Sequence, residues 1–231
     1  MSDTTLTWLG HAAFRIDTAT GKRIYVDPFL NGNPKCPAGE QEPERADIVA
    51  VTHGHGDHVG DAVAIAQQHG ATVVGMVELA GWLGKQGVPD NQLVGFNKGG
   101  TIDVGGVKFT LTNAFHSGST PDGSYGGEPT GFVIEVENGT TLYFAGDTCV
   151  FGDMQLIGRI YDPDVVIIPI GDYYTMGPRE AAVALDLLGA KRCVPCHWGT
   201  FPVLTGTPQK LKELAPGVAI DEIEPGDSVT V

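Results

Sequence analysis

Thr52-His-Gly-His-Gly-Asp-His-Val-Gly60 places four metal-capable side chains, His53, His55, Asp57 and His58, within six positions. The run before it, Asp47-Ile-Val-Ala-Val-Thr52, is apolar and reads as a buried strand, so the cluster stands at the end of a rigid element. Gly54 and Gly56 relieve the Cβ restriction on the backbone and let alternate side chains turn toward a common point. After His58 the pattern becomes helical. Imidazoles with a carboxylate suit zinc, iron or manganese, and their closeness leaves room for two ions rather than one. A polar turn that merely caps a helix would be a plainer explanation, but three of the chain's seven histidines fall within these six residues.

Outward from the cluster, composition sets the frame. A chain of 231 residues, 42% hydrophobic, can bury a full core and is expected to form one domain over residues 1–231. Thirty-three glycines and fifteen prolines, spread along the whole length, imply many short elements and turns. No low-complexity break divides the chain and no internal repeat is legible. Met1-Ser-Asp-Thr-Thr5 shows no basic region followed by an apolar stretch, and no segment is long enough to span a bilayer. The expectation is a soluble, cytoplasmic protein with no membrane partner. A formal charge of −14 disfavours nucleic acid, whose phosphates need clustered Lys and Arg. A small molecule is the expected partner, and a homo-oligomer stays open. Cys36, Cys149, Cys193 and Cys196 are too few and scattered to staple a protein of this size. Cys193-Val-Pro-Cys196 has the spacing of half a zinc ribbon or a redox pair, but its apolar, strand-like setting favours buried free thiols.

Further along, strand after strand ends in a candidate ligand. Runs at 5–9, 13–16 and 22–26 read as an antiparallel meander, with His11 in its first turn as a structural histidine or a substrate contact. Residues 27–37 form a proline-rich loop that can rim a pocket. A helix over 61–69 stops at Gly70 and leaves His69 in its last turn, away from any ligand role. Strands and helices then alternate, at 72–76, 77–86, 91–96 and 101–104. The strand at 107–113 leads to His116. The loop at 117–131, rich in Gly and Ser, is expected to be mobile, a substrate lid in preference to a merely solvent-exposed excursion. A hairpin over 132–136 and 140–145, turning at Asn138-Gly139, runs into Asp147. A helix at 154–160, a strand at 165–170 and a helix at 178–188 follow. The strand at 191–196 reaches His197, and a last helix covers 208–214.

H-x-H-x-D-H followed by His116, Asp147 and His197 resembles the metallo-β-lactamase superfamily over nearly the whole chain. Trp8-Leu-Gly-His-Ala-Ala-Phe14, Ile170-Gly-Asp-Tyr-Tyr-Thr-Met-Gly-Pro178 and His197-Trp-Gly-Thr-Phe-Pro202 resemble, more narrowly, a family of metal-dependent hydrolases related to the ascorbate-6-phosphate lactonase group. That family usually carries Tyr-Asn after the last histidine, where this chain has Trp198-Gly199. The resemblance implies an α/β fold, a four-layer αβ/βα sandwich with the site at one edge of the strands. It implies one metal on His53, His55 and His116, a second on Asp57, His58 and His197, and Asp147 between them. The implied cofactors are two divalent ions, zinc, with manganese or iron as alternatives. Such a pair acidifies a shared water. The implied activity is hydrolysis of an ester, lactone, thioester or phosphoester of a small molecule, with Asp57 orienting the nucleophile or carrying its proton. An iron-dependent oxidoreductase of the persulfide dioxygenase type is the alternative. His55 weighs against the diiron flavoprotein branch, which resembles a carboxylate-bearing site there. A non-catalytic binding module would leave seven clustered ligands unused, at a cost. Phe29, Tyr173, Tyr174, Met176, Trp198 and Phe201 are candidate pocket walls, and Lys35 and Arg179 are candidates for holding an anion.

Overall fold

Continuous apolar strands need cover on both faces, and the amphipathic helices between them supply it. The computed structural model describes residues 3–231. One seven-stranded sheet has the order β14-β1-β2-β3-β4-β5-β6, from Ser228–Thr230 (β14), Thr5–Trp8 (β1), Phe14–Asp17 (β2), Arg23–Val26 (β3), Ile48–Val51 (β4), Thr72–Met76 (β5) and Leu93–Phe96 (β6). The other has the order β13-β12-β11-β10-β9-β8-β7, from Ala219–Ile220 (β13), Arg192–Cys196 (β12), Val165–Pro169 (β11), Thr141–Phe144 (β10), Thr130–Glu135 (β9), Val107–Asn113 (β8) and Thr101–Val104 (β7). The helices are Gly56–Val59 (α1), Ala62–His69 (α2), Val77–Lys85 (α3), Met154–Tyr161 (α4), Pro178–Leu188 (α5) and Pro208–Leu214 (α6).

Strand parity explains the layers. In β4, Ile48 and Ala50 face the core between the sheets, while Val49 and Val51 face the core under α2 and α3. In β11, Val165 and Ile167 point inward, and Val166 and Ile168 pack beneath α4 to α6. Every such residue is removed from water on one side or the other, each Val or Ile contributing roughly 1.5–3 kcal/mol. The result is the expected α/β sandwich of four layers. The same parity separates Cys193, in the helix-side core, from Cys196, in the core between the sheets. Three residues apart on a strand, their side chains leave opposite faces and form neither a redox pair nor half a zinc site. All four cysteines are free.

Where no repeat was legible in the sequence, the fold has one in topology. In each sheet an antiparallel meander, β1-β2-β3 or β7-β8-β9-β10, is followed by parallel strands joined through helices. No helix among the described residues is long and apolar enough to cross a membrane.

Candidate metal centre

Because β1 and β3 both run antiparallel to β2, and β3 parallel to β4, these three strands point the same way. In the other sheet β8, β10 and β12 do likewise. Just beyond the C-terminal ends of these six strands stand His11, Asp27, the His53–His58 turn, His116, Asp147 and His197. Three of them adopt left-handed backbone, with φ of 56° at His11, 46° at Asp27 and 54° at His197. Such angles are uncommon outside glycine and cost about 1–3 kcal/mol each, so the surrounding packing must hold them. At His11 the hold is visible: its carbonyl accepts from Trp8 Nε1 at 2.9 Å and from the His197 amide at 2.8 Å.

The hydrogen bonds decide where the ring lone pairs point. Asp27, buried, accepts from the Thr52 amide at 2.7 Å, from the Thr52 hydroxyl at 2.6 Å and from His58 Nδ1 at 2.7 Å. With its hydrogen committed to Asp27, Thr52 Oγ1 accepts from His53 Nδ1 at 3.0 Å. One carboxylate therefore occupies Nδ1 on both rings, directly at His58 and through Thr52 at His53, and turns their Nε2 atoms toward the cluster. His53 Nε2 then lies 3.1 Å from His55 Nδ1, close to the separation of about 3.3 Å between two ligands on one tetrahedral ion with bonds of about 2.0–2.1 Å. His11 donates from Nε2 to Asp57 Oδ2 and accepts at Nδ1 from Thr200 Oγ1, both at 3.0 Å.

Three Nε2 atoms face one carboxylate. His58 Nε2 and His197 Nε2 each lie 3.2 Å from Asp147 Oδ2, and His116 Nε2 lies 3.6 Å from it. His58 Nε2, Asp147 Oδ1 and both ring nitrogens of His197 are buried with no hydrogen-bond partner. Buried lone pairs opposed in this way are stable only with a proton or cation between them. Three groups of potential ligand atoms fall within 4.8 Å of one another: His53, His55 and His116; His11, Asp57, His58 and His197; and His53, His58 and Asp147. The donor set of imidazoles and carboxylates fits divalent metal.

Electrostatics agree with this fit. Burial depresses the pKa values of His53, His55 and His116, keeping their rings neutral as ligation requires. Burial opposes charge on His58 too, but Asp147 and Asp27 on either side outweigh it and hold its pKa well above the usual value. Burial would raise Asp147, yet His197 and His58 keep it well below the carboxylate range. Burial lowers His11 to about 4 despite its bond to Asp57, so it remains a neutral donor to that carboxylate.

All seven expected ligands are thus brought together. Asp57 is about a third exposed, on the floor of the cleft, whereas Asp147 is buried beneath the histidines. His11, fully buried, lines no part of the cleft and reaches it through its hydrogen bond to Asp57. Sequence reasoning missed Asp27, Thr52 and Thr200; for Asp27, an acid immediately after a strand was the available signal. Gly54 has no positive φ: it is needed because a Cβ there would lie 3.1 Å from the Ser119 carbonyl. The 117–131 segment is anchored at several points. Trp82 Nε1 donates to Asp122 at 2.9 Å, Ser119 bridges to Tyr125, and the Thr130 amide and hydroxyl donate to the Thr52 carbonyl.

A cleft of about 570 Å³ opens over the cluster, walled by Ser117, Tyr174, Phe201 and Val203. The other proposed walls lie elsewhere. Met176 is in the core beneath the helices, Trp198 stacks on Trp8 at 5.2 Å, and Phe29 sets its edge against His11 at 6.0 Å. Lys35 and Arg179 are exposed and line no part of the cleft.

Residues 22–198 match the Beta-lactamase superfamily domain. A relative from Herpetosiphon aurantiacus named "UPF0173 metal-dependent hydrolase" is 51% identical, over 100% of this chain and 99% of its own. One of the same name from Rubrobacter xylanophilus is 48% identical, over 99% and 97%. Among solved structures, Igni18, described as a novel metallo hydrolase from Ignicoccus hospitalis, superposes with a TM-score of 0.88 at 34% identity, over 100% of this chain and 99% of that one.

Proposed function

The chain belongs to the UPF0173 metal-dependent hydrolases of the β-lactamase superfamily, and from that membership we propose that it cleaves an ester, lactone, thioester or phosphoester of a small molecule at a dinuclear centre. His53, His55 and His116 would hold one divalent cation, Asp57, His58 and His197 the second, with Asp147 shared between them. Zinc is the proposed ion, with manganese or iron as alternatives. Bound there, the pair would polarise the scissile group and supply an acidified water as nucleophile. The observation that carries this proposal is that the buried, unpartnered Nε2 atoms of His58 and His197 both lie 3.2 Å from one buried carboxylate oxygen, Asp147 Oδ2.

The chain's own residues have distinct parts in it. Asp27 and Thr52 orient His53 and His58 and fix their tautomers. His11 holds Asp57 Oδ2, so this carboxylate presents its other oxygen and can take up or return a proton at the cleft floor. Tyr174, Phe201 and Val203 bound the space above and limit water access from that side.

Metal content per chain, measured on protein purified without added metal, tests the proposal together with turnover of a lactone, thioester and phosphodiester panel. About two zinc or manganese ions with chelator-sensitive hydrolysis are expected, and Asp147→Ala should lose both metal and turnover. A single iron, with oxygen consumed and nothing hydrolysed, would move the assignment to the oxidoreductase alternative. Full occupancy and unchanged activity in Asp147→Ala would refute the shared ligand.

A further inference from the structure

Resting on the hydrolase assignment, we infer that the part of the substrate remote from the reacting bond is uncharged and apolar, a ring or acyl chain held against Tyr174, Phe201 and Val203. Two independent features lead there. The first is charge. No Lys or Arg among the described residues lines the cleft, and the groove continuing from it past His116 and Ser117 adds Tyr125 and Glu128 but no cation. Lys98, near that groove, is engaged by Asn113 Oδ1 at 2.7 Å and Glu128 at 3.1 Å. Bound metal could offset an oxyanion at the reacting centre. A phosphate or carboxylate farther along the substrate would instead find no counter-ion in a chain of net charge −14.

The second feature is an apolar wall that the fold holds out to solvent. Tyr174 is 57% exposed, Val203 40% and Phe201 36%, all on one side of the cleft. Tyr173, 68% exposed, meets Tyr174 edge to face at 4.7 Å. Their turn is built on two successive left-handed residues, Asp172 at φ 66° and Tyr173 at φ 63°. It is locked by Asp172 Oδ1 accepting from the Tyr173 amide at 2.7 Å and by the Met176 amide donating to the Thr148 carbonyl. Strained backbone that displays aromatic surface beside a reacting centre fits substrate recognition better than core packing. The cleft's volume of about 570 Å³ matches that of small-molecule sites.

The test uses the metal-loaded protein and δ-lactones that share one ring but carry no substituent, a hexyl or phenylethyl group, or a phosphate-terminated chain of matched length. kcat/KM should rise at least tenfold from the parent to the hexyl and phenylethyl lactones, and the phosphate-terminated one should fall below the parent. Tyr174→Ala and Phe201→Ala should raise KM severalfold for the hexyl and phenylethyl lactones, more than for the parent, so that the tenfold gain in kcat/KM from the parent to the substituted lactones collapses. Saturation-transfer NMR with phenylacetamide reads the wall without turnover, and its signal should weaken in both variants. Binding of phenylacetamide, lost in the variants, with no lactone and no member of the thioester and phosphodiester panel hydrolysed would count against the proposed hydrolysis and leave the apolar subsite standing. Preference for the phosphate-terminated lactone, or an unchanged chain-length dependence in both variants, would overturn the inference while hydrolysis stood. Sedimentation showing a second copy of the chain seated on the wall, with phenylacetamide silent, would also overturn it.

Discussion

Replacing Asp27 with Asn keeps the shape of the side chain and removes the logic of its bonds. Asp27 Oδ1 accepts from the Thr52 amide, while Oδ2 accepts from both the Thr52 hydroxyl and His58 Nδ1. An Asn oxygen can serve one end only. If it stays on the Thr52 amide, its NH₂ confronts two donors at the other end, and His58 loses the acceptor that holds its Nδ1 hydrogen and aims Nε2 at Asp147. Loss of such an orienting partner typically lowers metal affinity about 10- to 100-fold, or roughly 1.4–2.8 kcal/mol. The apoprotein loses a buried hydrogen bond to a charged group, worth about 1.5–3 kcal/mol, and at roughly 2–4 °C per kcal/mol for a domain of this size its Tm should fall by roughly 3–12 °C. Zinc competition against a chromophoric chelator measures the first effect and thermal unfolding by circular dichroism the second. Affinity within twofold of the parent, with an unchanged Tm, would refute the tautomer control assigned to Asp27.

Zinc titration at neutral pH should release about one proton per chain, because the flanking carboxylates keep His58 protonated until a cation replaces that proton. The sign follows: zinc affinity should climb with pH until His58 deprotonates on its own, as calorimetry in buffers of different ionisation enthalpy would reveal, whereas pH-independent affinity would contradict it. Thiol titration of the folded protein should label exposed Cys149 at once and leave Cys193 and Cys196 untouched until unfolding, since burial pushes both thiols up; rapid labelling of all four would show the strand packing to be wrong. Gly60→Ala puts a Cβ 2.4 Å from the Pro28 carbonyl at φ 41° and should destabilise by more than about 1 kcal/mol in urea unfolding; a variant as stable as the parent would mean this approach is not as tight as described.

Periodicity made most of the sandwich legible. The buried strands β4, β5, β11 and β12 and the glycine-stopped helices α2 and α5 lie within a residue or so of where apolar runs and caps put them, since Gly70 and Gly189 adopt the left-handed conformation that ends a helix. The two-fold plan of the sheets was hidden because it resides in strand order and direction. Neither leaves a trace in a chain whose halves pack different side chains. The fate of the aromatics was equally hidden. Trp198 follows a ligand directly, yet its ring turns back onto Trp8, while Tyr174, in no strand or helix, stands over the cleft.

At the candidate metal centre, residue types and spacing pointed to seven side chains that the structure brings together, because a tight turn and strand ends are local features. What orients them is not local. Asp27 is 25 residues from Thr52 and 31 from His58, and it reaches both only because β3 pairs in parallel with β4 and because its own backbone is left-handed. That arrangement has a consequence for how the two subsites behave. In the proposed dinuclear centre His53 would belong to one and His58 to the other, yet a single carboxylate sets the hydrogens of both, directly at His58 and through Thr52 at His53. A perturbation at Asp27 should therefore weaken both zinc affinities together. Thr52→Val, which deletes only the hydroxyl on the way to His53, should weaken one subsite and spare the other. Two independent, equally shifted binding steps in Thr52→Val would be incompatible with this coupling, and a single selective loss would locate it in the bonds described.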